Sequence, residues 1–244
     1  MNTSAGTRPS SEPSLADDGI RLAVHEARTQ AAVAVGFAGS LLLALAIVDT
    51  WQDWSLLGTP WWIWLFLAIP EMVVLSALLL WGSTDLVPGR RREAVVVLLG
   101  FLALASLGAT GLLVAALVSS STHDLSAGNL LVHAVVVWGT NLIVFSLLFW
   151  ELDAGGPVRR ATVGRTMPDF QFPQDENPEL AAAGWRTALF DYMYVSLTNA
   201  MAFSPTDAMP LSRQAKGLMA VESLLSNIIV VLVIARAVNV LGSS

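Results

Sequence analysis

"WWIWLFLAIPEMVVLSALLLW", residues 61–81, carries a single ionisable side chain, Glu71, in an otherwise apolar run. At about 1.5 Å of rise per residue, such a helix is long enough for a bilayer core about 30 Å thick. A soluble domain normally carries about 25% charged residues. This chain has 244 residues, of which 55% are hydrophobic and only 13% charged. Too little polar surface remains to cover a globule in water, so lipid is the expected solvent for most of the chain. Residues 31–48, 94–118 and 130–150 repeat the pattern. Residues 217–241 are as long but include Glu222, Asn227 and Arg236. Residues 184–203, "GWRTALFDYMYVSLTNAMAF", are apolar but interrupted by Arg186 and Asp191. The expected fold is all-α, a polytopic membrane helix bundle with five or six membrane helices.

Arginine placement gives the orientation. Residues 49–60 and 119–129 have no Lys or Arg, whereas 82–93 carry Arg90, Arg91 and Arg92, and 151–183 carry Arg159, Arg160 and Arg165. That alternation places the N-terminus and the 151–183 connection in the cytoplasm. Trp51, Trp54, Trp61, Trp62, Trp64, Trp81 and Trp150 fall near span ends, where rings with one wet N–H settle at headgroup depth. Three regions follow. Residues 1–30 read as a disordered tail with a helical lead-in, 31–129 as the N-terminal transmembrane helices, and 130–244 as a C-terminal membrane region containing the connection 151–183. The polar start has no basic segment before an apolar core and does not read as a signal peptide. The arginine bias among the basic residues suggests a bacterial, GC-rich genome, hence an inner (plasma) membrane location.

Several chemistries are absent. There is no cysteine, so no disulfide and no thiolate metal site or nucleophile. No Walker loop, HExxH motif or close Ser–His–Asp spacing occurs, and three scattered histidines do not make a metal ligand set. The net charge is −6, and no basic patch suits nucleic acid. Neither an enzyme nor a cofactor is expected.

Ionisable and amide groups at membrane depth are costly and mark function by default. Glu71 follows Pro70, which frees a carbonyl one turn earlier and can kink the helix. Its bland reading is a packed carboxyl bonded to a neighbouring helix. On the last helix Glu222 and Ser226 share one face and Ser223 and Asn227 an adjacent one, with His133, Thr140 and Asn141 of the fourth span as candidate partners. In 151–183, Phe170, Phe172 and Pro173 are placed to pin the connection against the bundle. Asn177 before Pro178 reads as a helix start.

The stretch "FDYMYVSLTNAMAFSPTDAMPLSRQAKGLMAVESLLSNIIVVLVIARAVN", residues 190–239, resembles the pore loop and inner helix of two-transmembrane, potassium-channel-like domains. Tyr192 and Tyr194 match its aromatic pore helix, Thr198 the threonine before the filter, Asp207 the acid after it, and Pro210 and Arg213 the lead into the inner helix. "FWELDAGGP" at 149–157 and "DYMYVSLTNAMAFSPTDAMPLS" at 191–212 look like hallmarks of a group of bacterial integral membrane proteins with this ending. The resemblance implies a homo-oligomer, a tetramer if channel-like, with Thr198, Asn199, Ala202, Phe203, Ser204 and Asp207 at the constriction and small ions as the passengers. The filter is degenerate, however. A potassium filter needs glycine at alternating positions to reach positive φ. This chain has Ala202, Phe203 and Ser204 there, then Pro205. A left-handed Ala costs about 1 kcal/mol or more, and proline fixes φ near −65°. Potassium selectivity is not expected.

In that channel family the loop enters from outside, whereas the arginine pattern here sends the fourth span inward. Either 184–203 cross as a further span, with Ser204–Ser212 as a tight outer turn, or they form a re-entrant helix. The function expected from sequence is an oligomeric channel without potassium selectivity. The alternatives are a non-conducting scaffold or regulatory membrane protein and, third, a secondary transporter using Glu71.

Overall fold

The computed structural model describes residues 15–52, 60–80, 88–118, 127–202 and 208–242. The described residues are all-helical apart from one two-residue strand pair. Its elements are α1 (Leu15–Gln52), α2 (Trp62–Leu80), α3 (Pro88–Val118), α4 (Ala127–Leu152), α5 (Pro157–Val163), β1 (Phe170–Gln171), α6 (Pro173–Glu176), α7 (Leu189–Ala202), β2 (Met209–Pro210) and α8 (Arg213–Gly242). Among the described residues, four segments are long and apolar enough to cross a membrane: Val24–Gln52, Leu99–Val118, Gly128–Val163 and Arg213–Ala235. The helical lead-in expected within residues 1–30 is part of α1, which starts at Leu15.

Helices α1 and α4 run in opposite directions. Asp49 of α1 meets His133 of α4 at one end. Some 19 residues back along α1, about 28 Å at helical rise, Gln30 accepts a hydrogen bond from the backbone N–H of Leu189. From His133 to Asp153, just past α4, is about 30 Å by the same measure, matching a hydrocarbon core. Two apolar cores stack along this axis. One gathers Leu42, Leu45, Trp64, Leu113, Leu130 and Ile229. The other, towards Asp153, gathers Phe145, Phe149, Phe170, Phe172, Tyr192 and Met219.

Strand pairing places the residues just before α8. Phe170 pairs with Pro210 and Gln171 with Met209, antiparallel, and Leu211 N–H donates to Asp169 O at 2.8 Å. Residues 209–211 therefore lie at the Asp153 end of the bundle, beside the 151–183 connection. Residues 204–207 of the tight turn expected from sequence lie outside the described residues. The start of α7 also removes a cost. Asp191 accepts from Ala188 N–H at 2.7 Å, so it caps the helix where free N–H groups need an acceptor, and Arg186 precedes the helix and is exposed.

The tryptophans divide. Trp51, Trp61 and Trp62 are exposed as anchors would be, whereas Trp64 is interior and bonded to Asp49. Asn177 is not a side-chain cap. It precedes a single 3-10 turn, Pro178–Leu180, and its amide donates weakly back to Pro173 O at 3.4 Å.

Candidate functional site

The "DAGG" of residues 153–156 ends α4 by three successive positive-φ residues: Ala154 (49°), Gly155 (83°) and Gly156 (94°). Two of the three are glycine, which reaches this region at little cost. A Cβ on Gly156 would sit 2.7 Å from Glu151 Oε1, and one on Gly155 2.7 Å from Arg159 Cδ. The reversal turns Asp153 inward, where it is fully buried. Its Oδ1 accepts from Asp169 N–H at 2.7 Å and Phe170 N–H at 3.1 Å. Its Oδ2 accepts from Arg165 Nε at 2.9 Å and Tyr192 O–H at 2.6 Å. All four sites of the carboxylate are filled, so this group holds structure and has no capacity left for a substrate.

Arg165 extends the clasp by donating to Asp175 and to Phe170 O, with its guanidinium 5.2 Å from the Phe172 ring centre. Burial works against its charge, but Asp175 and Asp153 outweigh that and raise its pKa above the usual arginine value. Phe170 and Phe172 are buried among Phe149, Tyr192 and Trp185. The connection 151–183 is thus pinned by the two phenylalanines singled out from sequence.

At mid-depth, Glu222 of α8 is fully buried. Ser196 of α7 bonds to its Oε1, and Asn199 Nδ2 donates to Oε2 at 2.6 Å and to Met219 O at 2.9 Å. Ser223 Oγ donates to Asn199 at 2.9 and 3.0 Å, and Ser196 also reaches Leu142 O of α4 at 3.0 Å. Leu142 lies nine residues from His133 and eleven from Asp153, so this cluster sits near the middle of the bundle axis. Of the residues expected at a constriction, Asn199 points into its own chain and Thr198 bonds to its own helix, at Tyr194 O and Val195 O. Phe203, Ser204 and Asp207 lie outside the described residues, as does the side chain of Ala202.

The remaining polar groups pair differently from the sequence expectation. Asn141 does not meet the polar stripe of α8. It donates to Thr110 Oγ1 of α3 at 2.9 Å and accepts from Ser106. His133 Nε2 lies 3.1 and 3.3 Å from the two oxygens of Asp49, and its Nδ1 is 2.7 Å from Asn129 O. Trp64 Nε1 donates to the same Asp49 at 2.6 Å. Asp49 and Trp64 were missed because the one sits at a span end and the other reads as an interfacial anchor. Glu71 is buried against α1, its Cβ 3.6 Å from the position a Cβ on Gly39 would take. Both its carboxyl oxygens lack a hydrogen-bond partner among the described residues. Asn227 is half-buried with no such bond. No cluster of metal-ligating side chains occurs among the described residues. Comparison with known proteins finds no family model, no curated protein and no solved structure that matches this chain.

Proposed function

We infer that this chain is an integral membrane protein resembling an ion-channel pore domain, working as an oligomeric channel without potassium selectivity. Its crossings are α1, α2, α3, α4 and α8, and α7 is a re-entrant helix. The observation that carries this reading is the strand pair. Leu189 at the start of α7 and Met209 after it both lie at the Asp153 end. A helix that dips to mid-depth, a short return and then a long crossing helix is the order of a pore loop and inner helix. Arg186, Arg213 and Lys216 then join the arginines of 151–183 at one end, as the positive-inside rule asks.

In this arrangement Ser196 and Asn199 anchor α7 to Glu222, and several copies surround an axis, with residues 203–207 of the constriction expected from sequence falling beyond those described. The test is flux of small cations and anions from liposomes containing the oriented protein, together with its oligomeric state. Flux that Ser204→Trp abolishes supports the channel. A folded, reconstituted protein that is strictly monomeric or passes no small ion overturns it. The second reading, a non-conducting scaffold or regulator, draws on a different observation. The polar side chains of α7 and the carboxyl of α8 satisfy one another within one subunit. The secondary transporter keeps only Glu71 in its favour.

A further inference from the structure

At the Asp153 end, α1, α5 and residues 164–188 enclose a cleft of about 770 Å³. That is within the roughly 300–1,000 Å³ usual for ligand sites. Its depth is set by α1. Glu26 and Gln30 line it, about 35 and 28 Å along the helix from Asp49, which is headgroup level for a bilayer.

The charge balance of the lining is unusual. Arg160, Arg165 and Arg186 face Glu26 and Asp175. Arg165 is already matched by Asp153 and Asp175. Arg160 has no carboxylate partner among the described residues. Its Nη1 donates to two carbonyls, Trp150 O at 2.8 Å and Asp153 O at 2.6 Å. Its guanidinium carbon stands 5.4 Å from the Tyr192 ring centre. Its Nη2 is buried and has no hydrogen-bond partner among the described residues. A buried guanidinium nitrogen left unpaired carries a desolvation cost that an anion would remove. Arg186 is exposed and forms no ion pair among the described residues. Gln174 also lines the cleft with an unpaired amide oxygen. Turning that amide over would present its NH₂ group instead.

We propose that this cleft binds a phosphate-bearing anion, gripped by Arg160 and Arg186. Guanidinium groups suit phosphate because their planar N–H fork matches two phosphate oxygens. Basic pockets between membrane helices on the cytoplasmic side hold anionic headgroups by the same chemistry. The site is separate from the Glu222 cluster and does not depend on whether the chain conducts.

The test uses the full chain in detergent, with the thermal unfolding midpoint read by tryptophan fluorescence. Short-chain phosphatidylglycerol is compared with phosphatidylcholine, whose choline cancels the charge, and with sodium phosphate at matched ionic strength. Phosphatidylglycerol should raise the midpoint by about 3–5 °C and phosphatidylcholine should not. Arg160→Gln should abolish the shift. Because Arg160 also holds the end of α4, Arg186→Gln carries the test if that variant does not fold. Arg186→Gln should keep the ligand-free midpoint and weaken binding about tenfold. A shift from sodium phosphate with the same arginine dependence names a soluble phosphate as the source. A shift equal for the two lipids, a full phosphatidylglycerol shift in Arg186→Gln, or no shift from any of the three overturns the proposal.

Discussion

The Tyr192 hydroxyl donates to Asp153 Oδ2 at 2.6 Å, although 39 residues separate them in sequence. Through this bond the end of α4 and the start of α7 share one carboxylate with Arg165 and the backbone before β1. Asp153→Asn keeps the shape but replaces one acceptor oxygen by a donor that faces Tyr192 and Arg165 or two backbone N–H groups. Leaving buried donors opposed costs about 3 kcal/mol. The thermal midpoint in detergent should fall sharply, and Tyr192→Phe should lower it less, because it removes only one of the four bonds.

The "DAGG" reversal separates steric from conformational cost. Gly156→Ala needs φ near 94° and also brings a methyl within 2.7 Å of Glu151. Gly164 has φ near 88° but nothing within 4 Å. Gly164→Ala should cost about 1–3 kcal/mol from backbone strain alone, since φ 88° with ψ 172° is a region essentially confined to glycine. Gly156→Ala should cost about 2 kcal/mol or more, and Glu151→Ala should recover part of the difference. Equal losses in the two alanine variants would show that the contact with Glu151 carries no cost.

Glu222 should tolerate an amide better than truncation. Its site needs an acceptor facing Asn199 and a group facing Ser196, whose one proton has both Leu142 O and Glu222 within reach. Gln supplies both with the same reach. Glu222→Gln should change stability by no more than about 1 kcal/mol, whereas Glu222→Ala strands Asn199 and Ser196 and costs about 2–4 kcal/mol. A Gln variant as unstable as the Ala variant would mean that charge, not hydrogen bonding, holds α7 to α8.

At the other end, Asp49, His133 and Trp64 bind three helices into one polar contact. A double-mutant cycle of Asp49→Asn and His133→Gln in detergent-solubilised protein should give a coupling of about 1–3 kcal/mol. Additive losses would place the two side chains in separate interactions.

Much of the fold was legible from apolar run length, because lipid imposes helix on any segment that must satisfy its own backbone. The span limits 94–118 and 130–150 differ from α3 and α4 by only a few residues at their starts or ends. What sequence did not show was pairing between distant residues. His133 is equally compatible with packing and with an ion pair until Asp49, 84 residues away, is placed beside it. Asn141 and Glu222 both read as midplane polar groups, yet one partners α3 and the other α7. The two-residue strand β1 carries no periodic signal at all. It nonetheless fixes the path into α8 at residues 209–211.

That path yields the sharpest prediction. The chain contains no cysteine, so single cysteines can be read with a membrane-impermeant maleimide in sealed, oriented vesicles. Thr187 precedes α7, Leu211 follows β2, and Trp61 precedes α2 at the Asp49 end. Leu211 and Trp61 are both exposed, which favours labelling without disturbing the core. With β1 holding β2 at the Asp153 end, Thr187→Cys and Leu211→Cys should label from one face and Trp61→Cys from the other. A sixth crossing by α7 would reverse the second result, placing Leu211→Cys with Trp61→Cys. Phe170→Ala serves as the control, because it empties the core beneath the strand pair. It should make Leu211→Cys label faster without changing the face from which it reacts.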